Sequence, residues 1–440
     1  MKVMKFGGTS VGKPERMHEV AKLVTRDEES KIVVLSALSG TTNALVEISN
    51  SLAQGDRSSA SKQIDALEVH YRNFCSQLLS TPESQEKAAA IIQEHFEFLH
   101  IILKISFSEA LNKDILAQGE LLSTKLFSVY LDEIGVDHLL IPALEFMTID
   151  NYDEPQIGSI KIKLAQILKR NKSKKIFVTQ GYISRNAKGE VDNLKRGGSD
   201  YSASLIGAAI NASVCEIWTD INGMHNNDPR VVKKTVPIEQ LSFEEAAELA
   251  YFGAKILHPA SIWPAQTYNV PVKLLNTMDP EATGTLIAAE AGSAGVKAVA
   301  AKDNITAIKI KSSRMLLAYG FLRKIFEVFE KYRTSIDMIT TSEVAVSLTI
   351  DSDLNLEAIV KELEPFGTVE VDSNQTIVSI VGNEITETED VMQKVFLALK
   401  EIPVRMVSYG GSRHNISILI ASNQKNKTLQ ALNSGLFGLE

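Results

Sequence analysis

The stretch MKFGGTSVGKPE, residues 4–15, decides how this chain is read. From Gly7 the string GGTSVGKP comes within one residue of a P-loop: a glycine, four residues, Gly12, Lys13 and then a hydroxyl side chain. The last place is taken by Pro14. Proline cannot supply the oxygen that would bind magnesium, so the P-loop reading fails where its chemistry matters. The other lysine, Lys5, ends the apolar run KVMKF and stands just before Gly7 and Gly8. Two glycines let a backbone turn sharply and aim consecutive N–H groups at an anion, and Thr9 and Ser10 add hydroxyl donors. Lys13 falls a turn later, beside a helix-starting proline. Lys5 is therefore the lysine placed to meet a phosphate; the alternative is a tight surface turn with a solvated side chain.

Outward from that turn, 440 residues exceed what one hydrophobic core usually serves and predict two or three domains. Hydrophobic content of 44% with 23% charged residues is that of a soluble globular protein, and a net charge of -8 gives no footprint for nucleic acid. Cys75 and Cys215 form no CxxC pair, so neither zinc nor a disulfide framework is signalled. A reducing compartment fits best. With no apolar leader and no apolar run near the ~18 residues that span a bilayer, the expectation is a cytoplasmic protein that does not enter a membrane. The histidines give no metal pattern: His95 and His100 are off a common helical face, and HExxH is absent.

Up to about residue 290, short β-rich runs alternate with helical patterns: KIVVLSA (31–37), HLLIPA (138–143), KKIFVTQG (174–181), CEIWTD (215–220) and VPVKLL (270–275). This predicts an α/β fold around a mostly parallel sheet, with ligands at the carboxyl ends of its strands. Residues from about 55 to 130 carry only long helical patterns and read as a helical insertion. The small residues of EAGSAGVKA (290–298) mark a domain boundary. Beyond it the chain nearly repeats itself: ITAIKIKS, the helix around Phe321–Phe329 and EVAVSLTID are echoed by TIVSIVGN, VMQKVFLALK and NISILIA. The offset of roughly seventy residues suits two compact βαββ-type units, about 305–375 and 376–440. Neither contains a cluster of catalytic residue types, so regulation or assembly is their expected work.

Six separated strings follow KFGGTS in order: SALSGTTN (36–43), QGELLS (118–123), LKRGGSDYSA (194–203), WTDINGMHNNDPR (218–230), FGAKILHP (252–259) and ITTSEVAVSL (339–348). Together they resemble the aspartokinases of the amino-acid kinase fold over almost the whole chain, and the C-terminal repeats look like that family's paired ACT-type modules. The resemblance implies a three-layer sandwich over residues 1–292 and a regulatory region over 293–440. It also implies phosphorylation of the side-chain carboxylate of L-aspartate by ATP, giving L-aspartyl 4-phosphate and ADP.

The chemistry agrees with those residues. Bringing two anions together needs positive charge and N–H donors where they meet. Lys5, the Gly7 and Gly8 backbone, Thr9, Ser10 and Lys255 are expected at the phosphates, together with Thr219 and Asp220 at the end of CEIWTD. Arg230, in the DPR turn, would be free to reach them. Arg196 offers a planar fork for the substrate carboxylate, Ser199 a further donor, and Glu120, read as opening a helix after Gly119, a partner for the substrate ammonium. The resemblance adds Thr42 to the substrate side. A β-carboxylate is already ionised at neutral pH, so Asp200 would orient Lys5 or Lys255 rather than act as a base, or cap a helix. Magnesium would arrive with ATP, held mainly by phosphate oxygens and water, without a metal site made by the protein. His225, Asn226 and Asn227 depart from the family pattern, which leaves the adenine-side contacts open.

The segment 315–342 resembles the effector-binding portion of lysine-sensitive aspartokinases. Asp337 would take an ammonium group, while Met315, Gly320, Phe321, Leu322, Ser335, Thr341 and Ser342 would line the rest of the site. Ala318 stands where a serine is common, which keeps threonine, or lysine with threonine, open beside lysine as the effector. A homodimer or dimer of dimers through the C-terminal modules is expected. No GxGxxG fingerprint follows the repeats, so no fused dehydrogenase is expected. The competing readings are a kinase for another acidic amino acid and a catalytically inactive amino-acid-sensing assembly protein.

Overall fold

The computed structural model describes all residues except 195–196, 254–256, 291, 313–314, 316–318 and 440. The chain divides into two compact units, one of residues 1–224 with 257–289 and the other of residues 225–256 with 290–440. In chain order the strands are β1 (Lys2–Phe6), β2 (Lys31–Leu35), β3 (His138–Leu140), β4 (Ile176–Gln180), β5 (Ile183–Arg185), β6 (Val191–Asn193), β7 (Cys215–Thr219), β8 (Gln240–Ser242), β9 (Val272–Asn276) and β10 (Thr285–Ala288). They continue as β11 (Gly295–Lys311), β12 (Ile339–Thr341), β13 (Ala345–Ile350), β14 (Thr368–Asn383), β15 (Met406–Ser408) and β16 (Asn415–Ala421).

Within the first unit the sheet runs β3-β4-β2-β1-β7-β9-β10. All its neighbours are parallel except β10, which is antiparallel to β9. Its central strands KVMKF and KIVVL are buried at every position, as strands covered on both faces must be, and their lysines Lys2, Lys5 and Lys31 are ion-paired. Register fixes where the site can be. Phe6 is paired with both Leu35 and Trp218, and Leu35 with Gln180, so these strands end level with one another. The turns that follow them, starting at Gly7, Ser36, Gly181 and Asp220, therefore share one edge of the sheet.

The helical reading of residues 55–130 holds: long helices span Arg57–Leu78, Pro82–Ile102 and Glu109–Glu133. Each starts where a side chain replaces the missing acceptor, Asp56 taking the Ser59 N–H, Thr81 that of Ser84 and Ser108 that of Leu111. Ile64, Leu67, Tyr71, Phe74 and Leu78 recur at helical spacing and are buried in the same core as Met4 and Phe6.

The second unit is built on one six-stranded antiparallel sheet, β12-β13-β11-β14-β16-β15. Its two central strands are long, and they pair from Gly295↔Asn383 to Lys311↔Thr368 with irregularities around residues 302–307. The two repeats thus share strands: the expected division at 375/376 falls inside β14, which serves one repeat with each half. Helices Phe321–Lys331 and Leu356–Leu363 cover Ile308, Ile310, Val346 and Leu348; helices Val391–Ala398 and Lys425–Phe437 cover Val378, Ile380, Ile416 and Ile418.

Residues 225–256 join this second unit, although they precede the glycine-rich boundary in sequence. Buried Asn226 and Asn227 donate to Asn433 Oδ1 at 3.3 Å each, and Asn227 also donates to the Leu429 carbonyl at 3.0 Å. These two residues tie the loop to helix Lys425–Phe437. Among the described residues no helix is long and apolar enough to cross a membrane.

Candidate active site

Lys5 lies at the end of β1 with its side chain only 11% exposed, and its Nζ meets Asp200 Oδ1 at 2.5 Å. Asp200 does not cap its helix. Gly197 is the N-cap of helix Gly198–Ile210, at φ 65°, and Asp200 follows in the first turn. The two adjacent left-handed glycines, Gly197 and Gly198 at φ 51°, let the chain enter the helix steeply enough to bring that carboxylate to the strand end. Asp200 thus holds Lys5 from a second element.

Gly7 and Gly8 are needed for closeness rather than for a left-handed turn. Gly7 has an ordinary φ of -75°, yet a Cβ there would fall 3.2 Å from Lys5 Nζ; one on Gly8 would fall 3.2 Å from the Ala37 carbonyl. The Gly7 N–H is directed to the Trp218 carbonyl at 3.5 Å, so it is not an open donor. The N–H groups of Gly8 and Thr9 open the four-residue helix Gly8–Val11 and have no acceptor within it. Ser10 is buried, with its hydroxyl on Thr277 Oγ1 at 2.8 Å and on the Trp218 carbonyl at 3.4 Å; it braces the turn from inside. Lys13 is exposed and precedes helix Pro14–Thr25.

Glu120 is placed differently from its sequence reading. It sits in the middle of helix Glu109–Glu133, because Gly119 does not start the helix but lets it approach the 36–41 loop. A Cβ on Gly119 would fall 2.7 Å from that of Ala37. Glu120 is 3% exposed; Oε1 accepts the Ala37 N–H at 3.3 Å, and Oε2 is buried without a partner. Burial pushes its carboxyl up to about 8, against the opposing pull of the Ala37 N–H. Thr42 is half-buried at the start of helix Thr41–Ala53, next to Thr41, whose hydroxyl is bonded to Tyr71. A buried acidic group with one free oxygen, beside a strand-end loop, can receive a cation.

Ser199 is buried against the turn after β4, where a Cβ on Gly181 would fall 2.3 Å from both Ser199 Cβ and Oγ. Gly181→Ala is therefore expected to push back the start of helix Gly198–Ile210 and to cost about 1–3 kcal/mol. Chemical denaturation would measure this, and the KM for the amino-acid substrate should rise with it.

Thr219 ends β7 and exposed Asp220 follows it, the Thr219 hydroxyl donating to the Asp220 carboxylate at 3.2 Å. Arg230 belongs to the second unit and is not free: its Nε and Nη2 close on the Asp228 oxygens at 2.9 and 2.8 Å. The carboxylate two residues earlier matches the guanidinium fork, which the DPR pattern did not suggest. His225 is bonded to Thr235 Oγ1 at 2.8 Å. Arg196 and Lys255 lie outside the described residues.

In the second unit, Gly320 at φ 77° precedes helix Phe321–Lys331. Phe321 is buried, Met315 and Leu322 are half-buried, and Ser335, Thr341 and Ser342 are exposed. Asp337 is already engaged, accepting from the Tyr251 hydroxyl at 2.7 Å and from Lys302 Nζ at 2.8 Å. Neither partner is signalled in the sequence; only the position of Tyr251, directly before FGAKILHP, marks it out.

Residues 1–276 match the amino acid kinase family and residues 378–436 an ACT domain. The chain is 35% identical over 450 residues to the lysine-sensitive aspartokinase 3 of Escherichia coli K12, covering 99% of both chains. It is 34% identical to the chloroplastic aspartokinase 3 of Arabidopsis thaliana, over 99% of this chain and 81% of that protein. Among solved structures, E. coli aspartokinase III in complex with aspartate and ADP, in its R-state, superposes with a TM-score of 0.85 at 34% identity, over 99% of this chain and 100% of that one. The same enzyme in complex with lysine and aspartate, in its T-state, gives 0.81 at 34% identity over 99% of each chain. With residues 1–276 matching the amino acid kinase family and a relative 35% identical over the whole chain, the chain belongs to the aspartokinases, within the amino acid kinase family.

Proposed function

We propose that this aspartokinase carries its reaction at the strand ends around Lys5, Glu120 and Asp200. ATP gives up its γ-phosphoryl to the β-carboxylate of L-aspartate; a carboxylate oxygen forms the new bond to phosphorus as the bond to ADP breaks. The observation that carries the substrate side is the buried Glu120 carboxyl with an unpartnered oxygen. An amino acid's ammonium is the group that satisfies it, while Arg196, Ser199 and Thr42 take the remaining polar groups. The β-carboxylate of aspartate titrates at ~4 in water, so it is ionised at neutral pH and needs no base.

Lys5 places its ammonium where charge builds on the transferring phosphoryl, and Asp200 keeps it aimed there. Gly8, Thr9, Thr219 and Asp220 complete the phosphate side. Among the described residues no group of three His, Cys, Asp or Glu could hold a metal, whereas exposed Asp220 and the Asp200 carboxylate suit a magnesium ion that keeps phosphate and water ligands. When bound with ATP, magnesium neutralises charge on the β- and γ-oxygens.

The second unit serves as the regulatory region, with two ACT-type modules sharing one sheet. L-lysine is its effector, supported by the lysine complex of the E. coli relative. Assembly is through these modules, and the enzyme works in the cytoplasm. The test is acyl-phosphate trapping with hydroxylamine. Hydroxamate is expected with ATP and L-aspartate and not with L-glutamate; no product from aspartate would refute the assignment, and product from glutamate would favour the broader acidic-amino-acid kinase.

A further inference from the structure

The two oxygens of Asp337 are in different states, and their difference matters to regulation on the premise that L-lysine is the effector and that this residue takes its ammonium group, as the sequence resemblance implies. The side chain is fully buried. Oδ1 receives both Tyr251 and Lys302, whereas Oδ2 is buried without a partner. Lys302 also reaches Asp351 Oδ2 at 2.8 Å, and its ammonium lies 4.4 Å from the centre of the Tyr251 ring. Two carboxylates and one ammonium leave the cluster with a net negative charge. A buried acceptor without a donor is costly until a donor arrives, so Oδ2 is where an effector ammonium gains most.

The helix that ends in Tyr251 supplies the second observation. Along Phe243–Tyr251, residues 245, 248 and 251 are spaced at i, i+3 and i+6 and so lie on one face. Each is tied to the rest of the second unit. Glu245, capping its own helix start, takes Lys297 Nζ at 2.8 Å, and Glu248 accepts from Asn415 Nδ2 at 3.0 Å. Only the last tie ends on the effector carboxylate. Four residues farther along the chain is Lys255.

We infer that Tyr251 is a positioning residue through which effector occupancy acts on helix Phe243–Tyr251. A carboxylate has one charge to share between its oxygens, so an ammonium settling on Oδ2 weakens Oδ1 as an acceptor. The Tyr251 hydrogen bond then differs in strength between the free and occupied states, which is the differential interaction that coupling requires. Burial, reinforced by the Asp337 contact, raises the Tyr251 phenol far above its usual range, so it remains a donor. Burial opposes the charge on Lys302, but Asp337 and Asp351 outweigh it and raise its pKa, so the competing cation also stays in place.

The test uses the full chain with Tyr251→Phe, a change at a partly exposed ring that removes one hydroxyl. Calorimetry measures L-lysine binding with and without ATP and L-aspartate, and a kinetic assay measures inhibition. Binding to the free enzyme should stay within about threefold, while the coupling ratio, typically ~5–150-fold, falls toward one and inhibition at saturating lysine becomes partial. A Tyr251→Phe enzyme inhibited as fully as wild type, with an unchanged ratio, overturns the inference alone. Asp337→Ala binding lysine as wild type does, or wild type binding neither L-lysine nor L-threonine, removes the effector reading and this inference with it.

Discussion

Lys5→Met should lower kcat about 10³-fold, the scale of losing one preorganised charge at a developing anion, while exposed Lys13→Ala should stay within about twofold. The contrast follows from position. Lys5 is 11% exposed at a strand end and paired with Asp200, whereas Lys13 faces solvent before a helix. The variant also strands a mostly buried carboxylate, at about 3–5 kcal/mol. Steady-state kinetics must therefore be read beside denaturation. The double variant Lys5→Met/Asp200→Asn should recover much of the stability and none of the turnover; recovery of turnover would mean that Lys5 serves the fold and not the phosphoryl group. The reverse order of the two lysines would revive the P-loop reading.

Glu120→Gln should raise the KM for aspartate about 10²-fold, since a buried charge partner is removed. Its pH signature separates this from a packing defect. Burial raises the Glu120 carboxyl from 4.5 to about 8, so between those values the unfolded chain has lost a proton that the folded chain retains. The resulting stability is fully present below pH 4.5 and is lost as pH rises through about 8, a change of about 5 kcal/mol across that window. Glu120→Gln should flatten this component, as denaturation at pH 5 and pH 9 would reveal. An aspartate ammonium favours the ionised carboxylate, so binding to the wild type near pH 7 should release about one proton and binding to the variant none. Calorimetry in buffers of different ionisation enthalpy measures this; equal proton release would place the ammonium elsewhere.

What was legible in the amino-acid order was what local pattern controls. Continuous apolar runs marked the central strands, helical spacing marked the long insertion, and KFGGTS placed Lys5 at a strand end before a close-packed turn. Motif order was enough to name the family, because seven separated strings in one order are far more specific than any one of them.

Other features depended on contacts between distant segments. Glu120 is mid-helix because Gly119 must meet Ala37, a residue more than eighty positions away in the chain. The repeats share β11 and β14 because antiparallel pairing satisfies most of both backbones from Gly295↔Asn383 to Lys311↔Thr368, a gain that no single repeat displays. Residues 225–256 join the second unit through buried asparagines and a helix with polar ties, although composition alone put the boundary near residue 290. Arg230 closes on Asp228, and Asp337 gains Tyr251 and Lys302. Sequence by itself determined the elements and the residue types available for phosphoryl transfer. Tertiary structure alone decided which polar atoms are paired and which stay open, since burial and long-range approach set the cost of leaving a charge without a partner.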